Sequence, residues 1–218
     1  MRTNLVSMGA MLLVAALSAC GDDDDGGKTA DAAPGGPDAA VVLVDGAPGT
    51  PDAAEGADAE PAEFALSSTA IHGDDLLADT YTCAGDNVSP PFTWTAGPAG
   101  TKSYAVELHD VTFNGFVHSV IWDIPANVNT LPEHVQRAAM PSVPAGAKQT
   151  KAFDGMFGYS GPCPSGNTHH YEFVLYALDV DTLPGVATSD SKEAVVTALN
   201  GAHKLATTVL GTNSNASN

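Results

Sequence analysis

The chain has 218 residues, 44% of them hydrophobic, and a formal net charge of −18 at pH 7. Twelve of its 26 acids fall between residues 21 and 63 beside one lysine, which leaves fourteen acids against six bases from Phe64 onward. A folded part this poor in cations has no footprint for displacing the counterions of DNA or RNA, so nucleic-acid binding is excluded, and adhesion of the fold itself to an anionic membrane by charge is disfavoured.

The chain opens with Met1-Arg2-Thr3-Asn4, an apolar stretch from Met8 to Leu17, and Leu17-Ser18-Ala19-Cys20. A weakly cationic head, an apolar run too short to span a bilayer and small residues before a cysteine make residues 1–20 an export signal. Leu-Ser-Ala-Cys resembles the bacterial lipobox, in which the cysteine becomes the mature N-terminus and carries acyl chains. Cys20 is then a lipid anchor; the alternative is ordinary cleavage near Ala19, leaving Cys20 as a spare thiol. Several acyl chains hold a protein firmly where one gives only marginal binding. The expected location is the bacterial cell envelope, and Gly21 after Cys20 points to the outer membrane where a bacterium has two.

Residues 21–63 are rich in Ala, Gly, Pro and Asp, with Pro-Asp-Ala-Ala at 37–40 and again at 51–54. Low hydrophobicity with like charge predicts a disordered, self-repelling spacer. Asp22 to Asp25 lack the alternating spacing and distal glutamate of a calcium loop.

From residue 64 to 211 the texture is that of one folded domain. Ser103–Asp110 alternates Tyr104, Val106 and Leu108 against Ala105, Glu107 and His109, the period of a half-buried strand. Phe116 to Ile124 is a second strand, in which strict alternation puts His118, Val120, Trp122 and Ile124 on one face. His170 to Asp179, nearly continuous in apolar residues, is a third and central one. Asp190 is the N-cap candidate of one short helix that stops at Gly201, with Glu193 three positions on. Lys204 to Leu210 reads as a last strand and residues 212–218 as a frayed tail.

Export leaves Cys83 and Cys163 in an oxidising compartment, where an even pair is expected to form a disulfide; two buried free thiols are the alternative. The candidate binding residues are Asp110, His118, His169, His170 and Tyr171. Paired imidazoles can grip a phosphate or carboxylate, Asp110 can fix a tautomer, and Tyr171 adds a hydroxyl donor. His170 alternates with Tyr171, so only one of the two need face a pocket. Asp110, His118 and His169 could also form a two-histidine carboxylate metal set, but no spacing demands it, and neither a metal nor a cofactor is expected. Gly158-Tyr159-Ser160-Gly161-Pro162 fails the Gly-x-Ser-x-Gly elbow of a hydrolase because its second glycine comes one place early. With no activated nucleophile in view, the expectation is a binding protein and not an enzyme.

Three motifs carry a family resemblance. Tyr81-Thr82-Cys83-Ala84-Gly85 through Ser89-Pro90-Pro91-Phe92-Thr93-Trp94, then Phe116 to Pro125 around His118, then Gly158 to Asp179 with Gly-Pro-Cys-Pro and His169-His170-Tyr171, stand in the right order over about residues 64–211. The chain resembles the phosphatidylethanolamine-binding protein family, in its bacterial Raf kinase inhibitor-like branch. That resemblance implies a mainly β fold with a large central sheet, a smaller second sheet and a few short peripheral helices. It also implies a small cavity for phosphate-like anions and phospholipid headgroups, lined at the matching positions by Asp110, His118, Pro164, His169 and Tyr171, and it too implies closeness of Cys83 and Cys163. Two departures stand out. The family's Asp-Pro-Asp-x-Pro is Asp110-Val111-Thr112-Phe113-Asn114 here, and its His-Arg-Tyr is His169-His170-Tyr171, which removes a permanent cation. The leading expectation is a lipid-anchored envelope protein that binds a small anionic ligand or phospholipid headgroup. The alternative is an interaction module acting on an unidentified protein partner, as a kinase or protease inhibitor does.

Overall fold

A computed structural model of the protein describes residues 62–215; the expected export signal, Cys20, nearly all of the expected spacer and the last three residues lie outside that range. In chain order the strands are β1 (Leu66–Ser67), β2 (Phe92–Trp94), β3 (Ser103–Asp110), β4 (Phe116–Pro125), β5 (Thr130–Leu131), β6 (Lys148–Gln149), β7 (His169–Leu178) and β8 (Lys204–Ser214), with one helix, α1 (Lys192–Gly201), between the last two. They form a five-stranded antiparallel sheet in the order β6-β4-β3-β7-β8 and a three-stranded antiparallel sheet in the order β1-β2-β5. Among the described residues, no helix is long and apolar enough to cross a membrane.

One face of the large sheet, with Tyr104, Val106, Leu108, Phe173 and Leu175, packs on Leu66, Phe92, Trp94 and Leu131 of the small sheet. The other face, with Ala105, Trp122, Val174 and Tyr176, packs on Leu183 and on Val195 and Leu199 of α1. The alternation in β3 therefore does not mark a wet face. Its second set of side chains is covered by α1, and the one carboxylate on that face, Glu107, is satisfied by the Tyr176 hydroxyl at 2.7 Å. A buried carboxylate with a donor in reach avoids most of its desolvation penalty.

Strict alternation also fails along β4. Its register against β3 shifts between Leu108 and His109 and again between Tyr104 and Val106. Val120 and Trp122 pack on the helix side while Ile124 packs on the small-sheet side, and His118 meets Tyr171 of that same small-sheet face. Each extra residue of a β-bulge turns the strand by one face, which a period-two reading cannot anticipate. At the second shift Asp123 takes a left-handed φ of 57°, held by a hydrogen bond from the Leu183 amide to its Oδ1 at 2.8 Å.

Two end signals differ from expectation. Ser191, not Asp190, caps α1 by accepting from the Ala194 amide at 3.2 Å, while Asp190 accepts from the Ala187 amide at 2.8 Å. β8 runs to Ser214, beyond both Leu210 and the domain end expected at 211, because its polar residues 211–214 pair with His169–Glu172 of β7. The Cys83–Cys163 disulfide is formed, with Cα atoms 5.3 Å apart across a sequence separation of 80.

Candidate functional site

Asp110 ends β3 with Phe116 of β4 on one side and Tyr171 of β7 on the other, so the ends of three neighbouring strands build one corner. Asp110 is almost wholly buried, and both its oxygens are used. Oδ1 accepts from the Phe113 amide at 2.8 Å, bracing the turn into β4, and Oδ2 accepts from His169 Nδ1 at 2.6 Å. Asn114 at φ 53° and Gly115 at φ 71° close that turn with left-handed backbone.

His118 lies among three rings, with centroids 5.4 Å from Phe116, 4.8 Å from Phe153 and 5.3 Å from Tyr171. Its Nδ1 meets the Gly161 carbonyl at 3.1 Å. A carbonyl only accepts, so in the neutral ring Nδ1 carries the proton and Nε2 is the lone-pair nitrogen. The Tyr171 ring also lies 6.3 Å from that of His169, so one tyrosine bridges the two imidazoles and bounds their separation. The Tyr171 hydroxyl is buried and makes no hydrogen bond of full geometry among the described residues, with the Asp110 carboxylate and the Cys163 backbone beside it. Burial, and after it the Asp110 charge, raises its pKa, so it stays protonated and can donate.

The Gly161 carbonyl is itself pinned. The Gly161 amide donates to Asn87 Oδ1 at 2.8 Å, the Cys83 amide donates to the Pro162 carbonyl at 3.0 Å, and the disulfide ties the two segments. A Cβ at residue 161 would stand 2.1 Å from the Tyr81 carbonyl oxygen, so only glycine fits. Pro164 is buried on the same segment, one residue past Cys163.

Four of the five residues expected from the family resemblance thus meet directly or through one ring, and Pro164 belongs to the wall that orients His118. His170 faces the other way, with Nδ1 3.1 Å from Asn213 Oδ1, so the loss of arginine at this position takes no group from the corner. Phe116 and Phe153, which clasp His118, went unseen in the sequence. Phe116 sits in a family motif but its pattern marks only a strand start, and Phe153 lies in a stretch with no motif. Among the described residues no group of three His, Cys, Asp or Glu side chains has the arrangement of metal ligands.

Two histidines at this end of the sheet shift in opposite directions. Burial, opposed by the Gly161 carbonyl and the Asp110 charge, holds His118 below the ordinary 6.5, while the hydrogen bond to Glu107 holds His109 above it against its own burial, with Glu172 adding. A lowered folded-state pKa contributes stability that is present above 6.5 and lost as pH falls through the folded value. A raised one contributes stability that is present below 6.5 and lost as pH rises through the folded value. Melting curves collected across this range should therefore show His118→Gln flattening the acid limb and His109→Gln the alkaline limb. The opposite assignment of limbs would refute these protonation states.

The family model of the phosphatidylethanolamine-binding protein matches residues 67–215. The chain belongs to the phosphatidylethanolamine-binding protein family. Escherichia coli YbcL is 35% identical over 159 residues, 68% of this chain and 86% of YbcL. Its crystal structure, described as that of a new member of the mammalian PEBP family, superposes with a TM-score of 0.65 at 33% identity, covering 71% of this chain and 99% of that one. A Mycobacterium tuberculosis relative, named "Putative lipoprotein LppC", is 32% identical over 217 residues, 96% of this chain and 97% of its own. The likeness to LppC spans the N-terminal segment as well as the family domain, and so includes the region of Cys20.

Proposed function

We propose that this protein is an envelope protein anchored through lipid on Cys20, whose Asp110-His118-His169-Tyr171 corner binds, without chemistry, the phosphate of a small anion or phospholipid headgroup. The observation that carries the reading is the 2.6 Å pair between Asp110 and His169 set beside a buried Tyr171 hydroxyl without a full hydrogen bond and a tautomer-locked His118. A phosphate monoester that keeps one proton matches this set. Its oxygens accept from Tyr171 and its own hydroxyl donates to the lone pair of His118 Nε2, while His169, whose Nδ1–H is committed to Asp110, presents Nε2 to the same phosphate. Asp110 acts behind the contact surface, orienting His169, since both of its oxygens already have donors. The non-catalytic part of the reading is supported by Ser160, the hydroxyl of the failed elbow, which is fully buried.

Equilibrium dialysis against phosphoethanolamine with phosphorus NMR detection tests this. The protein should retain the ester intact, and His169→Gln, a change at a partly exposed side chain, should weaken retention by about tenfold or more, the worth of one charge-assisted hydrogen bond. Equal retention by the variant removes the site, and release of inorganic phosphate would replace binding by hydrolysis.

A further inference from the structure

Exposed apolar side chains usually scatter singly over a soluble domain, and a contiguous group marks a contact surface. Five of the nine large hydrophobics that this domain leaves exposed stand on two short loops: Val111 (42%), Phe113 (59%) and Phe116 (36%) at the β3–β4 turn, and Phe153 (39%) and Met156 (58%) between β6 and β7. The loops touch. Phe113 and Phe116 have ring centroids 5.9 Å apart, Phe116 and Phe153 6.1 Å apart, and the Phe153 amide donates to the His118 carbonyl at 3.2 Å. Lys192 places its ammonium 5.2 Å from the Phe116 ring centroid, so the patch carries a cation at its border.

We propose that this aromatic rim is a membrane-docking surface that seats the domain on zwitterionic phospholipid. The choice of a bilayer rests on the lipid anchor proposed at Cys20, which puts a membrane within reach of the domain. About forty residues separate Cys20 from the first described residue, and the spacer expected from their composition would reach on the order of 35 Å. Charge selects the lipid: with fourteen acids against six bases from Phe64 onward the domain is repelled by an anionic surface, so contact must be short-range. Phenylalanine and methionine side chains entering the headgroup boundary supply such contact, while Lys192 at the border is already paired with Glu193. The rim closes around His118, so a docked domain presents the corner to the headgroup layer. The surface does not itself require that the corner hold an anion.

The test uses the full-length lipidated protein carrying Phe113→Trp, reconstituted in phosphatidylcholine–phosphatidylethanolamine vesicles, with acylation of Cys20 checked by mass spectrometry. Trp94 and Trp122 are buried, at 2% and 0% exposure, so the introduced indole is the accessible one. Docking predicts a blue-shifted emission, quenching by brominated lipid, and several-fold less quenching when Phe153→Ser is added. In the unsubstituted protein the same vesicles should slow amide exchange over residues 111–116 and 152–157 relative to detergent-solubilised protein. Emission that stays red, open to aqueous acrylamide and blind to brominated lipid would overturn the proposal, as would shielding that appears only on adding protein. Since phosphoethanolamine binding is read on the soluble ligand, failure of the rim and failure of the corner are separate results.

Discussion

Replacing Cys83 and Cys163 together by alanine is expected to lower the unfolding free energy by about 2–5 kcal/mol, the largest stability effect anticipated for this domain. The bridge closes a loop with a sequence separation of 80. On the chain-entropy model a loop of this length contributes roughly 4–5 kcal/mol by restricting the unfolded chain, and denatured-state structure reduces that figure. For a domain of about 150 residues the corresponding fall in Tm is on the order of 10 °C, readable by calorimetry. The change should also reach the site. The bridge fastens the segment whose Gly161 carbonyl fixes His118, and without it the Asn87–Gly161 and Cys83–Pro162 hydrogen bonds and the bond from the Tyr159 hydroxyl to the Tyr81 carbonyl are left to hold that segment. Ligand affinity should therefore weaken along with stability, even at temperatures where the variant is folded. A variant that melts within about 1 °C of the parent would show that the loop is held by packing alone.

Asp110→Asn should weaken binding of a phosphate monoester by roughly ten- to a hundredfold, equivalent to about 1.5–3 kcal/mol for a lost hydrogen bond to a charged group. The carboxamide oxygen can still accept from the Phe113 amide, so the turn survives. Its nitrogen, however, now faces His169 Nδ1, which must turn into an acceptor. Without the carboxylate, the imidazole loses the charged acceptor that holds it in place, so its Nε2 no longer meets the ligand in a fixed orientation. Calorimetric titration should find the loss in affinity with little change in Tm. Affinity unchanged at equal stability would mean that Asp110 only braces the turn and that the ligand does not depend on His169.

Much of this was legible in the residues, for reasons that differ by element. Three of the four long strands, β3, β4 and β7, followed from local alternation and apolar runs, since their periods survive whatever covers them. The burial of both faces of β3 was not legible, because covering by α1 is a long-range fact that Glu107 and His109 appear to contradict until Tyr176 and Glu172 are seen beside them. The facing of Ile124 was lost to bulges, which leave no mark in a pattern of apolar residues; Asp123 at positive φ is the only local trace. In the corner, Asp110, His118, His169 and Tyr171 stood out because titratable groups beside apolar runs need a reason to be there. The helix cap was misplaced by one residue, since Asp190 and Ser191 both suit the position and only the backbone decides between them. Phe153 and the Gly161 carbonyl were invisible for the opposite reason, as a ring in a loop and a main-chain oxygen carry no sequence signal until the chain is folded.

The most direct test of a shared anion site is long-range proton–nitrogen NMR of the histidine side chains during titration with inorganic phosphate and phosphoethanolamine. The account predicts that before ligand is added His118 shows the Nδ1–H tautomer, and that ligand then moves the Nε2 signals of His118 and His169 together, with one saturation curve, while those of His72 and His134 stay still. Movement of only one of the two imidazoles, separate curves for each, or an Nε2–H tautomer at His118 would contradict it.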